Sequence, residues 1–383
     1  MRHYALLNSL ITNKNIKPLI MATKYLITLT PHEKFFFGGE RTFGDTNAHY
    51  LVVSRYFPQQ TALLGLLRHQ LLVQSNDPQI FADNKIQDPQ LAKKLIGEKS
   101  FTINGKFDFG KIKSLSPVFI TRNSDDTKEY YFPANREYVW KEKFDDECNK
   151  EQGWLTVNPV KEETEKGRQL NGKPLIKLEN YNPKYDMPDL LINRSGIKYS
   201  YDDVFIEHKQ VGIRKDYNGK TDEKAFYVQT FWKMKKGYGF SFIAELDFDL
   251  KSNHNVVFGG EQQMFRMDVE KFDKGFEDLL PPYESSKNFH KVVLLSDTCV
   301  EKDIFPDFDF AITRTGDFRF LVTDLNIKNP ARKPDKSQKF EVYKKGSVFY
   351  FSDKNKDIPS LFNYDNLRKV GYNHYKIIYA QSN

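Results

Sequence analysis

Residues Phe205 to Phe265 decide the fold and read FIEHKQVGIRKDYNGKTDEKAFYVQTFWKMKKGYGFSFIAELDFDLKSNHNVVFGGEQQMF. Runs rich in β-branched and aromatic residues alternate here with turns that contain glycine, which is typical of β-strands. Paired glycines such as Gly259-Gly260 allow positive φ angles and a close approach of the backbone to a ligand. Because arginine and lysine flank these turns, the region suits a polyanion better than a small apolar ligand. The stretch therefore predicts a β-rich surface that holds RNA.

The composition describes a globular protein with room for two domains. The chain has 383 residues, of which 39% are hydrophobic and 28% are charged, and this length can supply two separate cores. Aromatic residues make up 15% of the chain, which favours strands and also provides rings that can stack on RNA bases. The formal net charge of +7 and the pI near 8.9 permit a nucleic-acid partner without requiring one.

The cysteines and the apolar runs narrow the class of protein further. Two cysteines, Cys148 and Cys299, exclude a disulfide scaffold and a cysteine-rich zinc site, and they fit a reducing cytoplasm. No apolar run approaches the roughly 20 residues needed to cross a bilayer. We therefore expect a cytoplasmic protein with no membrane partner.

The order of predicted elements favours an α+β class with two units. Residues 1–20 lack the apolar core of a signal peptide, and Met21 precedes the first clear strand, so we expect these residues to be a flexible extension or an upstream mis-start. One unit is expected at residues 21–195, with a polar insertion at about residues 123–194, and the other at residues 196–383. The patterns predict a first strand at Lys24–Leu29 and helices at 58–74, 88–97, 269–280 and 361–370.

Motifs that carry enzyme chemistry are missing from the sequence. There is no P-loop, H-E-x-x-H, G-x-S-x-G or C-x-x-C motif, and the eight histidines are scattered without metal-ligand spacing. We therefore expect no catalytic residue, no metal and no cofactor. His32 and His49 flank the first glycine loop, so a ribonuclease with one of them as general base stays open at this point.

Four segments are candidates for RNA contacts. Each combines glycine with a cation, an amide or an aromatic ring, which suits a sugar-phosphate chain. In the first two segments the candidates are Gly38, Gly39, Arg41 and Phe43 of the first glycine loop, and Lys209, Gly212 and Arg214 of the strand at 204–213. In the other two they are Lys235 and Lys236 of a predicted basic hairpin around 233–240, and Gly259, Gly260, Gln262 and Arg266 of the second glycine turn.

The order of these motifs resembles that of the RAMP proteins of type III CRISPR effectors. The resemblance covers nearly the whole chain from Met21 and is greatest to the third subunit of the type III-B (Cmr) module, a relative of the fifth Cas family. It rests on F-G-G-E-R-T-F at 37–43, P-Q-Q-T-A-L-L-G-L-L-R at 58–68, V-G-I at 211–213, A-F-Y at 225–227, F-G-G-E at 258–261, K-G-S-V-F-Y-F at 345–351 and G-Y-N at 371–373. The first loop and Gln262-Gln263 depart from the arginine-rich forms common in the family.

The resemblance implies a fold and a role that composition does not give. It implies two ferredoxin-like (RRM-like) units with long insertions and a protruding β-hairpin that kinks the guide. It also implies a noncatalytic subunit that grips the repeat-derived 5′ tag of the CRISPR RNA (crRNA), with Gly346 and Ser347 among the RNA-binding residues. The implied protein partners are the large palm-domain subunit and the backbone RAMP subunits of an antiviral ribonucleoprotein, with target RNA contacted only indirectly.

Three alternatives remain open from the sequence. The first is a repeat-RNA endoribonuclease on the same fold that uses His32 or His49. The second is the equivalent subunit of the type III-A module, which differs in the partners that co-purify with it. The third is a scaffold that contacts only proteins and assembles without RNA.

Overall fold

The computed structural model describes residues 22–38, 51–105, 108–124, 127–144, 150–162, 169–170, 173–184, 187–215, 218–322 and 335–381. The helices in these ranges are α1 (Gln60–Gln74), α2 (Pro89–Ile96), α3 (Ile358–Phe362) and α4 (Asp365–Lys369), and single 3-10 turns lie at Tyr201–Asp203, Glu277–Leu279 and Phe305–Asp307. None of these helices is long and apolar enough to cross a membrane.

Strands make up most of the ordered elements. The first half of the chain contains β1 (Thr23–Pro31), β2 (Lys34–Phe35), β3 (Leu51–Val53), β4 (Phe81–Ala82), β5 (Lys85–Ile86), β6 (Ile112–Leu115), β7 (Phe119–Ser124), β8 (Thr127–Pro133), β9 (Tyr138–Phe144), β10 (Lys150–Thr156), β11 (Asn158–Glu162), β12 (Gln169–Leu170), β13 (Lys173–Glu179) and β14 (Leu190–Asn193). The second half contains β15 (Lys198–Ser200), β16 (Phe205–Lys215), β17 (Thr221–Met234), β18 (Tyr238–Leu246), β19 (His254–Val257), β20 (Met264–Lys271), β21 (His290–Leu294), β22 (Phe310–Ile312), β23 (Thr315–Phe318), β24 (Leu321–Val322), β25 (Asp335–Lys336), β26 (Phe340–Tyr343), β27 (Val348–Phe351) and β28 (Tyr375–Ile378).

Three sheets organise the described part of the chain. The largest is a nine-stranded antiparallel sheet in the order β15-β14-β8-β7-β18-β1-β20-β19, with β6 also paired to β18. A second sheet has the order β16-β17-β2, and β3 pairs in parallel with β17. A third has the order β22-β27-β21-β28. The remaining strands form the small pairs β9–β10, β23–β26, β24–β25 and β4–β5 and the three-stranded β11-β13-β12.

Alternation along β1 places apolar layers on both faces of the large sheet. Ile27 and Leu29 are fully buried against α1, whose Leu63 and Leu67 belong to the same core. Leu26 points to the opposite face and packs in a second core that the segment after β20 covers. Successive strand residues point to opposite faces, so a β1 that is apolar at every one of these positions requires cover on both sides.

A buried ion pair joins the region before β9 to the third sheet. Lys291 Nζ on β21 donates to both carboxylate oxygens of Glu137, at 2.9 and 2.7 Å, and each side chain is only 1% exposed. Tyr350 on β27 and Asn135 also donate to this carboxylate. Each charge is costly to bury alone. The fold offsets this cost because it brings both charged partners and the other hydrogen-bond donors together.

The α+β class predicted from the sequence is confirmed, and several elements fall where expected. The first strand and the first two helices occur as predicted, and the segment expected to be a helix at 361–370 contains the end of α3 and all of α4. Strands from both sides of residue 195 join the large sheet. The division into two ferredoxin-like units at that residue stays a prediction, as does the insertion at 123–194, whose β8 and β14 belong to the large sheet.

Two predicted elements are wrong. Residues 269–280 are not a helix, because β20 runs to Lys271 in antiparallel register with β1 and only a 3-10 turn follows. Residues 233–240 are not a hairpin, because β17 and β18 lie in different sheets and Lys235–Tyr238 is the turn between them. The long hairpin of the structure is instead β16–β17, which is paired from Phe205–Met234 outward to Lys215–Thr221.

Candidate nucleic-acid interface

The second glycine turn packs against the residues that follow β2. The Gly260 N–H donates to the Phe36 carbonyl at 2.8 Å, and the Phe258 N–H donates to Gln263 at 2.9 Å. Gly259 has a φ of 85°, and a Cβ there would lie 2.8 Å from the Phe36 oxygen. Only glycine fits this close approach without strain. The turn therefore holds Gly259 and Gly260 beside Gly38, as one part of a shared surface.

These glycines line a pocket of about 400 Å³, which we call the glycine pocket. One wall is the face of α1 made by Ala62, Gly65, Leu66 and His69, whose spacing of three, four and seven residues keeps them on the same side of the helix. The opposite wall is residues 257–260, and Phe37, Gly38 and Gln59 complete the lining. No lysine, arginine, aspartate or glutamate occurs among these lining residues, so the described wall is neutral.

A second cavity of about 550 Å³, the cationic cleft, adjoins the glycine pocket through Gln59. It lies where α1 begins, beside the segment that follows β21, the strand β23 and the segment that precedes β27. Its aromatic and apolar lining includes Tyr56, Phe57, Tyr201 and Tyr372. Its charged lining residues are the cations Arg55, Arg136, Arg314, Lys344 and Lys345 and the carboxylates Asp189, Asp297 and Asp317. Cations therefore outnumber carboxylates in this cleft.

Two ion-pair groups fix most of these charges. Asp189 accepts from the buried Arg136 and, at 3.0 Å, from the exposed Arg314. Asp297 accepts from Lys344 Nζ at 2.9 Å and from the Lys345 backbone N–H at 3.1 Å. Burial disfavours ionisation of Asp297, but the charges and hydrogen bonds of Lys344 and Lys345 together outweigh burial, and the pKa of Asp297 is lowered. Both carboxylates therefore serve to hold the cations in position.

Lys345 differs from its neighbours because its ammonium has an aromatic partner. Its Nζ lies 2.9 Å from the centroid of the Phe57 ring, a cation–π contact. Asp297 and Asp189 attract this charge from a greater distance, but burial dominates and lowers the pKa of Lys345 to about 7. A lysine at this pKa is half charged at neutral pH and gains its full charge when an anion arrives.

The predicted residues Gly346 and Ser347 build the turn that presents Lys344 and Lys345. Gly346 has a φ of 83°, and a Cβ there would lie 2.5 Å from the Ala134 carbonyl oxygen. The buried Ser347 hydroxyl donates to the Lys344 carbonyl at 2.7 Å and accepts from the Arg314 N–H at 3.3 Å. Their place in the RNA-binding set stays a prediction, while the neighbouring lysines line the cleft directly.

The other predicted residues are spread over two surfaces. Lys209 and Gly212 lie on β16, where Lys209 pairs with Glu207 at 3.0 Å and the Tyr227 ring occupies the space beside Gly212. The Tyr227 ring therefore fills the space at Gly212 that an RNA backbone would need. Lys235 and Lys236 are exposed in the turn between β17 and β18.

Gln262 and Arg266 lie close to the second glycine turn but outside the lining of the glycine pocket. Gln262 is exposed with a φ of 52°, and Arg266 Nε pairs with Asp268 at 3.0 Å. Gly39, Arg41 and Phe43 lie outside the described residues, as does the side chain of Arg214.

The histidines considered for catalysis have ordinary surroundings where they are described. His32 Nε2 lies 2.8 Å from Asn255 Oδ1 at the surface, and His49 lies outside the described residues. Within the described ranges no group of three or more His, Cys, Asp or Glu residues is placed to hold a metal ion.

The long hairpin also presents apolar residues to solvent, which we call the hairpin face. It comprises Leu51, Val53, Val211, Ile213 and Phe226, which are between 40% and 67% exposed. Cross-strand register places them on one side, because Val211 pairs with Val228 beside Leu51, and Ile213 pairs with Phe226. Contiguous exposed apolar surface is characteristic of interaction sites.

Sequence reasoning missed most of the cationic cleft. Arg136 and Asp189 lie 53 positions apart in a stretch that reads as a polar insertion, and Arg314 lies farther along the chain. Lys344-Lys345 stand directly before the predicted Gly346-Ser347. This adjacent pair of lysines is the one feature of the sequence that indicates a cationic surface at this place.

Together these features define an antiparallel α+β protein in which a neutral pocket adjoins a cationic cleft. The family model described as "CRISPR-associated protein (Cas_Cmr3)" matches residues 27–379. The chain therefore belongs to the Cmr3 family and is a subunit of a type III-B CRISPR-Cas (Cmr) ribonucleoprotein effector. The resemblance seen in the ordered sequence motifs is confirmed.

Two solved structures contain similar chains. A chain of the cryo-EM structure of the type III-B Cmr-beta bound to cognate target RNA is 14% identical with a TM-score of 0.46, over 92% of this chain and 96% of that chain. A chain of the Cmr-beta bound to cognate target RNA and AMPPnP, state 1, is also 14% identical with a TM-score of 0.45, over 92% and 95%. A search of the curated proteins finds no match.

Proposed function

We propose that this chain is the noncatalytic subunit that binds and caps the repeat-derived 5′ tag of the crRNA within its effector, in support of antiviral defence in the cytoplasm. The observation that carries the proposal is the cationic cleft beside the glycine turns at the start of α1. A single-stranded RNA needs cations that follow its phosphates and small residues that admit its backbone. Both occur here on adjoining surfaces.

The phosphates of the tag lie along Arg314, Lys344 and Lys345. Arg314 is 62% exposed and is held by Asp189 alone among the ion pairs described, so its guanidinium keeps free donors for a phosphate. Lys345 is half charged at neutral pH, and a phosphate beside it favours the fully charged ammonium. Arg136 is 8% exposed and positions Asp189 from beneath, which makes it a support for the surface rather than a contact.

The hairpin face supports the protein side of the proposal. Covering exposed apolar residues with a partner is favourable, at about 25 cal/mol per Å² of apolar area removed from water. We assign this face to contact with the backbone RAMP subunits or the large palm-domain subunit, and target RNA is reached only through them. Val211→Lys or Phe226→Lys is expected to reduce co-purification of these subunits, while RNA binding by the isolated chain is kept.

Salt-dependent RNA binding tests the phosphate contacts. The affinity of the full chain for a synthetic single-stranded RNA copy of its co-purified 5′ end is measured over a range of salt concentrations. Each phosphate contact contributes about 0.7 to the slope of log K against log salt for single strands. Arg314→Ala is expected to weaken binding and to reduce the slope by about that amount.

Arg194→Ala is the matched control. Arg194 is exposed and lines neither the glycine pocket nor the cationic cleft, so its loss should leave the slope unchanged. Equal slopes for the wild-type protein and both variants would contradict the assignment of the cationic cleft to phosphates. Failure of the wild-type protein to bind RNA at all would contradict the proposed function itself.

A further inference from the structure

We propose that the glycine pocket receives one unstacked base of the RNA whose phosphates lie in the cationic cleft. This inference rests on the proposed function and adds to it a second kind of contact, one that depends on a base rather than on charge. A nucleotide has an anionic part and a neutral planar part, and the two adjoining cavities match these parts separately. Gln59 lines both cavities and marks where one nucleotide passes between them.

The walls of the pocket suit a neutral heterocycle and not a phosphate. Its described lining contains no permanently charged side chain. Partial burial lowers the pKa of His69 below its ordinary value, which favours the neutral form of this imidazole. At about 400 Å³ the pocket lies near the lower end of the range for small-ligand sites, about 300 to 1,000 Å³, which suits one base rather than several nucleotides.

Polar atoms at both ends of the pocket are available to the edge of a base. The Gln59 side chain makes no capping hydrogen bond to the helix that it precedes, so its amide can donate and accept. At the other end, the His69 ring contacts Phe81 edge-on, and neither ring nitrogen has a hydrogen bond within the described part of the chain. A neutral imidazole offers one donor and one acceptor to a base edge, and an amide offers an NH₂ donor group and a carbonyl acceptor.

The glycine at the centre of the α1 wall makes the space. A Cβ built on Gly65 would meet no atom within 4 Å, so the packing of the helix itself does not require glycine there. Glycine lowers helix stability relative to most residues. Gly65 therefore lowers helix propensity at a position that lines the pocket. A larger side chain at this position would occupy the pocket.

A substitution that fills the glycine pocket distinguishes the contribution of a base to RNA binding from the contribution of the phosphate charges. Gly65→Leu places a side chain in the pocket and raises helix propensity, so the variant is expected to fold. Gly153→Leu is the matched control, because Gly153 on β10 also has no atom within 4 Å of its built Cβ and lies in neither cavity. The probe is the synthetic copy of the co-purified 5′ end, prepared with one position at a time replaced by an abasic ribose.

The proposal predicts one sensitive position in the RNA. For the wild-type chain, an abasic ribose at that position weakens binding on the order of tenfold, the effect of losing one well-placed base contact. Gly65→Leu weakens binding of the intact RNA by a similar factor, removes the effect of the abasic position and keeps the salt slope. Gly153→Leu behaves as the wild-type protein.

Two results would overturn the base pocket. One is a wild-type chain for which every abasic RNA binds as the intact RNA does. The other is a Gly65→Leu chain that still distinguishes the sensitive position. If the salt slope persists in either case, the phosphate-binding function stands and only the base pocket fails. If the wild-type chain does not bind RNA, the slope is lost as well and both proposals fail together.

Discussion

Lys345 makes the RNA affinity of this protein depend on pH in a way that the structure specifies. Burial lowers the pKa of its ammonium to about 7 in the free protein. A phosphate placed beside Lys345 favours the charged form and raises the pKa of Lys345 in the complex. Binding therefore takes up a proton at any pH between the two pKa values. The affinity is therefore highest well below pH 7 and falls as the pH rises through that value.

The size of the change in RNA affinity follows from the pKa of Lys345. With a free pKa of about 7, about nine in ten Lys345 side chains are charged at about pH 6 and about one in ten at about pH 8. If the complex keeps Lys345 charged throughout, the affinity falls about tenfold over this interval, which corresponds to about 1.4 kcal/mol. Asp297 has a pKa lowered from that of an ordinary carboxyl group, so it does not provide the same change in this interval.

The assay is fluorescence anisotropy of a labelled single-stranded RNA with the full chain at constant ionic strength. Lys345→Arg keeps the charge without titrating in this range, so its affinity should stay constant with pH. Lys345→Met should bind weakly at every pH, close to the wild-type value at high pH. A wild-type profile as flat as that of Lys345→Arg would refute the reasoning, and thermal unfolding of each variant checks that the comparison is between folded proteins.

Three further predictions concern the fold and the chemistry. Lys291→Met leaves the Glu137 carboxylate buried without its partner and should lower the free energy of unfolding by about 3–5 kcal/mol, measured by urea denaturation; a loss below about 1 kcal/mol would contradict the described burial of the pair. Gly259→Ala imposes a positive φ and a contact with the Phe36 oxygen, so it should cost about 1–3 kcal/mol in the same assay, whereas Gly153→Ala should change little. The isolated chain should leave a radiolabelled repeat RNA intact, with His32→Ala indistinguishable from wild type on a denaturing gel; cleavage lost in His32→Ala would establish the ribonuclease alternative.

The parts of the fold that sequence could predict are those set by local pattern. The leucines of α1 give a clear helical periodicity, and Lys24–Leu29 is a short run of strand-forming residues that Pro31 closes. Both elements occur as predicted. Residues 269–280 show why local pattern is insufficient. Val269, Phe272 and Phe276 have helical spacing, yet pairing of β20 with β1 extends the strand through Val269, and tertiary pairing overrides the local preference.

The binding surfaces were predictable where they depend on single turns. The sequence pattern points to the glycines at 38, 259 and 260, and these glycines meet at one pocket. The cationic cleft was not predictable, because its ion pairs join residues that are far apart in the chain, such as Arg136 with Asp189. The contact of Lys345 with Phe57 likewise exists only once the segment before α1 and the segment before β27 come together in the fold. Pairings of this kind depend on the folded arrangement and leave no local signal.

The RNA that this chain carries in its own host tests the central claim most directly. The tagged chain is purified from that host, and the short RNA that accompanies it is sequenced and compared with RNA from a mock purification. We predict RNAs that share one 5′ end, a short repeat-derived tag followed by diverse spacer sequences, together with the other subunits of the type III-B effector. Purified effector subunits without enriched RNA, or RNAs without a common 5′ end, would contradict the claim that this chain caps the guide.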